Sequence, residues 1–302
     1  MYISQLMPSH LLRTLLVGGA VLALACETAN APRDASVPQQ VSEVSVRIDA
    51  PSGGAPAVSL LAFRASVSGP LQASEVLGVV DPWVAPAPAA RCDLHDVGAV
   101  ARTLRAQGGT VELQEIANVS LTVGETTLKP VPRVYPQLGP GLGGVFGEAG
   151  PFELAALPDT ISVGLPGEES RLPLAVPGVP RLVDQNGEPL VAGTRLDPTH
   201  DVQLTVAGPA HALEIRPYGA SHFIACPVGP GGRVVVQHEL LERLTASGSH
   251  GAVSFEAVWR DSRMVAGVQP TRLSIEARSS AVLDLRAQVA SPSETARPST
   301  VP

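Results

Sequence analysis

Ala252-Val253-Ser254-Phe255-Glu256-Ala257-Val258-Trp259 sets large apolar side chains at every second position. Successive side chains of a strand point to opposite faces, so Val253, Phe255, Ala257 and Trp259 share one face. The same period recurs along the chain, in Val202–Val206, Leu213–Arg216 and Val119–Val123. Near the start, Val44, Val46 and Ile48 alternate with Ser45 and Arg47. Val58–Ala65 is too apolar to alternate cleanly, as a buried strand or a buried helix would be, and its shortness and the glycine turn before it favour the strand. Further strands are expected at Val111–Ile116, Ile161–Val163, Leu172–Val176, Phe223–Cys226, Arg233–Val236, Met264–Val268 and Leu273–Ala277. The 302 residues include 29 glycines and 29 prolines, which favours turns and short strands over long helices. Pro51-Ser52-Gly53-Gly54 and Asn186-Gly187 read as turns. Only Val97–Ala106 and His238–Leu244 carry helical spacing, with Gly108-Gly109 stopping the first. The Gly/Pro-rich stretch 130–151 reads as an irregular excursion or as short edge strands joined by turns. The fold class is all-β.

Charged residues make up 16% of the chain, hydrophobic residues 44% and aromatic residues 3%. The core must therefore be aliphatic. The net charge of -7 has no like-charged block, which argues against a nucleic-acid partner.

At the N-terminus, Leu11–Cys26 reads LLRTLLVGGAVLALAC. Arg13 is followed by an uncharged run from Thr14 to Ala25, about 18 Å long as a helix and too short for ~30 Å of hydrocarbon. A cleaved signal peptide fits better than a membrane span. Ala23-Leu24-Ala25-Cys26 resembles the cleavage box of bacterial lipoproteins, although Ala23 stands where that family usually has leucine. The resemblance implies cleavage before Cys26 and attachment of diacylglycerol and a fatty acid to it, enough acyl chain for durable anchoring. Glu27 after the cysteine tilts the destination to the outer membrane. Ala29-Asn30-Ala31 offers a competing site, from which a soluble product would start at Pro32. Residues 26–40 then form a lipidated cysteine and disordered tether, and 291–302 a disordered tail.

Pro177-Gly178-Val179-Pro180 marks an expected boundary. The run LPLAVPGVPRLVDQNG resembles the hand-over between tandem immunoglobulin-like modules. Cys226, Gly231-Gly232, Val234–Val236 and Leu240–Leu244 resemble sandwich domains of extracellular bacterial proteins over Pro180–Leu285. Together these imply two β-sandwich domains, 41–177 and 178–290, after a signal peptide at 1–25.

Cys92 and Cys226 either pair, as an oxidising compartment allows, or remain two half-buried thiols. Cys92-Asp93-Leu94-His95-Asp96 offers zinc-type ligands, so Asp93, His95 and Asp96 are the metal candidates. The spacing fits no closed site, and Asp96 is better placed to cap the helix that follows. His238-Glu239 lacks the second histidine of a zinc-protease helix. Ser221-His222 and Ser249-His250 lie outside any nucleophile elbow. Gly139–Gly144 lacks the Lys-Ser/Thr of a phosphate loop. No catalytic residue or cofactor is assigned. Trp83, Trp259 and three tyrosines leave few rings for stacking on sugars.

The expected function is that of a noncatalytic envelope lipoprotein, held in the membrane lipid through Cys26. It would act as a binding or assembly component on another envelope protein or polymer. Two alternatives stand beside it. One is an envelope hydrolase or metal-binding protein with a site near Cys92, His95 and Asp96. The other is a soluble secreted binding protein cleaved after Ala31.

Overall fold

The computed structural model describes residues 39–69, 80, 90–135, 141–168, 171–184, 186–218, 221–246, 251–266 and 270–285. The signal segment, Cys26, most of the tether, the tail, Trp83 and Ser249-His250 lie outside them.

The body is mostly β. In chain order the elements are β1 (Gln39–Pro51), β2 (Ala57–Ser68), β3 (Asp93–Asp96), α1 (Ala99–Ala106), β4 (Thr110–Gln114), β5 (Ser120–Val123) and β6 (Thr126–Leu128). Then come β7 (Val131–Tyr135), β8 (Leu142–Glu153), β9 (Thr160–Gly164), β10 (Leu172–Ala175), β11 (Arg181–Val183), β12 (Arg195–Leu196) and β13 (Val202–Ala207). The last are β14 (Ala212–Pro217), β15 (His222–Pro227), β16 (Arg233–Val236), α2 (His238–Ala246), β17 (Gly251–Val265) and β18 (Thr271–Leu285).

One large sheet runs in the order β3-β15-β14-β17-β18-β1-β2-β4-β8-β7, with β12 added beside β18. Two small sheets, β10-β9-β5-β6 and β11-β13-β16, lie over its front face. The quoted stretch sits in β17, whose 15 residues continue through Arg260–Arg263 without the expected break. Its partner β18 is equally long and passes unbroken through Arg278-Ser279-Ser280.

These two strands serve two cores with one face. Val253, Phe255, Ala257, Ala281, Leu283 and Leu285 join the core under β11-β13-β16 and α2. Leu273, Ile275 and Ala277, with Trp259 at the margin, join the core under β10-β9-β5-β6. Val44, Val46 and Ile48 fill that second core as their alternation predicts. Phe255 is fully buried, and such a side chain contributes about 1.5–3 kcal/mol.

Residues 41–177 and 178–290 each supply one small sheet, but the large sheet joins them. β1 pairs in parallel with β18 from Glu43↔Arg272 to Pro51↔Ser280, and β3 pairs with β15. The described residues belong to one compact unit.

The 130–151 stretch departs from its expected irregularity. It forms β7 and the 12-residue β8, a strand hydrogen-bonded to β2, β4 and β7. Its glycines permit close approach instead of marking turns. At Gly144, with φ 123°, a Cβ would lie 2.1 Å from the Leu113 carbonyl oxygen. Gly143 and Gly144, read from sequence as a flexible loop, are thus strand residues.

The sheet curls toward its back face. β3 and β2 are six strand intervals apart, about 29 Å on a flat sheet. Yet Val97 packs by Phe223 of β15, while Ala101 and Leu104 of α1 share a core with Phe63, Ala65 and Val67 of β2. From Asp96 to Leu104 the chain reaches only about 18 Å, two linking residues and then helix. Bending the sheet brings the two regions together and makes its back face concave.

Candidate functional site

The two cores part at Ser279, between Ala277 and Ala281, and a groove opens there on the front face. It has a volume of about 890 Å³ and rigid walls that include Pro51, Pro56, Pro158, Pro177, Pro180 and Pro189. Leu157, Val179 and Leu190 supply apolar lining, and Asp159, Arg181, Ser52 and Ser279 the polar groups. A mainly apolar cleft of this size with a few polar groups is the usual form of a binding site. Prolines fix φ, so the walls are largely preformed.

Behind the seam, on the back face, lies a stripe of charge, buried at Glu214, Glu276 and Arg278 and half-buried along the rest. The polar phase of β14 carries Glu214 and Arg216, that of β17 Glu256 and Arg260, that of β18 Glu276 and Arg278, and that of β1 Arg47 and Asp49. Arg260 donates from Nη2 to Glu214 Oε1 at 2.7 Å, and Arg278 from Nη1 to Glu256 Oε2 at 2.7 Å. Arg216 pairs with Glu214, Arg278 with Glu276, and Arg47 Nε lies 3.3 Å from Glu276 Oε1. Arg216 also lies over the Phe223 ring, 5.5 Å from its centroid.

Burial alone would raise the Glu276 carboxyl, but Arg278, Arg260 and Arg47 outweigh it and hold the group well below its usual range. Burial likewise opposes ionisation of Glu214, and Arg260, Arg216 and Arg278 win there too. Both glutamates remain ionised at neutral pH and hold geometry rather than move protons. At the margins the balance reverses. Burial outweighs Arg47 and Arg278 at Asp49, and outweighs Ser274 and Arg272 at Glu43, so both carboxyls are raised.

The candidates singled out from sequence do not converge. Cys92 and Cys226 form a disulfide directly beyond the Asp93↔Ala225 pair, with Cα atoms 3.9 Å apart. Asp93 is exposed, and its Oδ1 accepts the Leu94 amide at 2.9 Å. The His95 ring packs on Phe223, with centroids 5.3 Å apart. Asp96 does not cap α1. It pairs with Arg102, while the helix opens at Gly98 in the left-handed region (φ 73°) without a side-chain cap. Among the described residues, Asp93, His95 and Asp96 do not bring their ligand atoms together as a metal site requires. Ser221 and His222 are hydrogen-bonded at 2.9 Å.

The described residues do bring Asp201, His238 and Glu239 together at the surface. Asp201 Oδ1 accepts from both the backbone amide of His238, at 2.9 Å, and its Nδ1, at 3.0 Å. A residue before β13 thus caps α2, held there by the Val202↔Val236 pairing. The hydrogen bond to Asp201, aided by Glu239, raises the His238 imidazole above its ordinary 6.5. A raised pKa stabilises the fold below the unfolded value, and the gain is lost as pH rises through the folded value. Amide protection over the first turn of α2 is expected to fall as pH climbs above about 6.5. Asp201→Asn should flatten that dependence in hydrogen-exchange measurements.

Neither the seam groove nor the stripe was visible in the sequence. Glu214, Glu256, Glu276 and Arg278 occupy the polar phase of their strands, which ordinarily means solvent. No family model, curated protein or solved structure matches the chain.

Proposed function

We propose that the chain is an exported protein anchored in the cell envelope through lipid on Cys26, whose all-β body works by binding rather than catalysis. The observation that carries this is the Leu11–Cys26 stretch, a short charge-flanked apolar run ending in Ala-Leu-Ala-Cys. The Cys92–Cys226 disulfide supports it, since such bonds persist in oxidising compartments. We read the two small sheets and the ends of the large one as a pair of immunoglobulin-like sandwiches with a shared sheet. The rigid groove between them is the surface offered to another envelope protein or polymer, and the outer membrane is the destination. The hydrolase reading is less favoured, because Cys92 is spent in a disulfide and Asp96 on Arg102.

Intact mass of the mature protein from a bacterial host tests the anchor. A start at Cys26 carrying diacylglycerol and an acyl chain is expected, and Cys26→Ala should release the protein from the membrane fraction. An unmodified start at Pro32 would refute anchoring.

A further inference from the structure

A second cleft lies beside the seam groove, across the wall that Pro177 shares with it. Its volume is about 350 Å³. β17 supplies Trp259, Asp261 and Arg263, which alternate onto one face at about 7 Å per step. Leu174 of β10 and Leu273 and Ile275 of β18 provide aliphatic lining. We propose that this cleft is a saccharide-binding site.

The case rests on the kinds of group present and on their order. A pyranose has a face of C–H groups and a rim of hydroxyls that both donate and accept. Trp259 offers a broad apolar plate for the face. The plate is held in place: it packs at the margin of the core, and the His211 ring stacks on it with centroids 5.8 Å apart. A ring already immobilised loses little entropy on binding.

Asp261 and Arg263 suit the rim. Asp261 is exposed and accepts only, while a guanidinium has five N–H donors. One of the Arg263 donors reaches the Pro173 carbonyl at 3.3 Å, which ties β17 to the opposite wall. Asp261 Oδ1 accepts the Ser262 amide at 2.8 Å, and a purely apolar ligand would strip water from the remaining carboxylate oxygen and guanidinium N–H groups, at a cost. A hydroxylated ring would satisfy both. The inference stands on the cleft alone and would survive a soluble N-terminus, so it fails or holds separately from the lipid anchor.

The chain has two tryptophans, so Trp83→Phe in the full mature protein leaves Trp259 as the sole indole reporter. Titration of this variant with the N-acetylglucosamine tetramer, cellotetraose and maltotetraose is expected to give a saturable emission change with at least one of them. By calorimetry, Asp261→Ala and Arg263→Ala should each weaken that sugar at least tenfold while circular dichroism shows the parent's fold retained, and Trp259→Phe should weaken it less than Trp259→Ala. The inference is overturned if none of the three sugars saturates the signal, or if the two charge variants bind as the parent does.

Discussion

Replacing Cys92 and Cys226 together by alanine is expected to lower the free energy of unfolding by about 4 kcal/mol. The bond links residues 134 positions apart, and restricting so long a loop in the unfolded chain corresponds to about 5 kcal/mol in the entropic model. Losses on removing a native disulfide typically run about 2–5 kcal/mol; both positions here are buried, Cys226 fully and Cys92 nearly so. The loss is large beside the roughly 5–15 kcal/mol that stabilises an ordinary domain. It should also be uneven. β3 is a four-residue edge strand whose one strand partner among the described residues is β15, so its amides should lose exchange protection before those of β17 and β18. Denaturant titration gives the total, and site-resolved hydrogen exchange the distribution. An unchanged unfolding midpoint would mean that the β3–β15 pairing needs no staple.

Glu214→Ala is expected to cost about 1–3 kcal/mol, because it takes their shared carboxylate from the half-buried Arg260 and Arg216, which keep Glu276 and Glu256. Glu214 itself is fully buried, so the space it leaves lies inside the sheet. Removing charge on both sides should cost less, and Glu214→Leu combined with Arg260→Met separates the penalty of an orphaned charge from the net value of the pair. The pH dependence has a definite sign. A carboxylate whose folded pKa is depressed contributes stability that is fully present above the unfolded glutamate value, 4.5, and is lost as pH falls through the lower folded value. The gap in stability between parent and Glu214→Gln should therefore be widest at neutral pH and narrow in acid. A gap that widened below pH 4 would contradict the assigned pairing.

The stripe and the groove occupy opposite faces of the same part of the sheet. At Ser279 the front face passes from one core to the other and has the least apolar cover. On the back, Arg278 beside it pairs with Glu276 and Glu256 on the same and neighbouring strands. The cross-strand ion pairs link β14, β17, β18 and β1 on the back of the sheet, behind the seam between the two cores. The groove walls thus stand on a floor tied across strands, which suits a preformed binding surface.

Much of this fold is legible in local pattern. Val44, Val46 and Ile48, or Val253, Phe255 and Ala257, reveal strand and buried face together, because a two-residue period has one reading when one side meets a core. The pattern misleads where charged and small residues interrupt a strand. Arg260–Arg263 and Arg278–Ser280 look like breaks between strands, since charged and small residues fill positions expected to be apolar. Both lie inside 15-residue strands, Arg278–Ser280 at the middle of β18 and Arg260–Arg263 toward the end of β17, with Arg260 and Arg278 paired across the sheet. Gly144 likewise reads as a turn, although a carbonyl from β4 occupies the space that a Cβ would need.

By itself the sequence determined the all-β class, the inward faces of most strands, and the helices near Val97 and His238. These depend on neighbours within a few residues, where side-chain period and turn chemistry act. Only the tertiary structure decided that β1 lies parallel to β18, that Cys92 meets Cys226, and that Asp96 serves Arg102 while a distant Asp201 caps α2. It also placed the stripe from Glu214 to Asp49 inside a curled sheet and set Trp259 at the edge of a cleft. All but the Asp96–Arg102 pair join residues far apart in sequence, and charge or aromaticity at one position carries no record of its partner until strand order brings the two within a few ångströms.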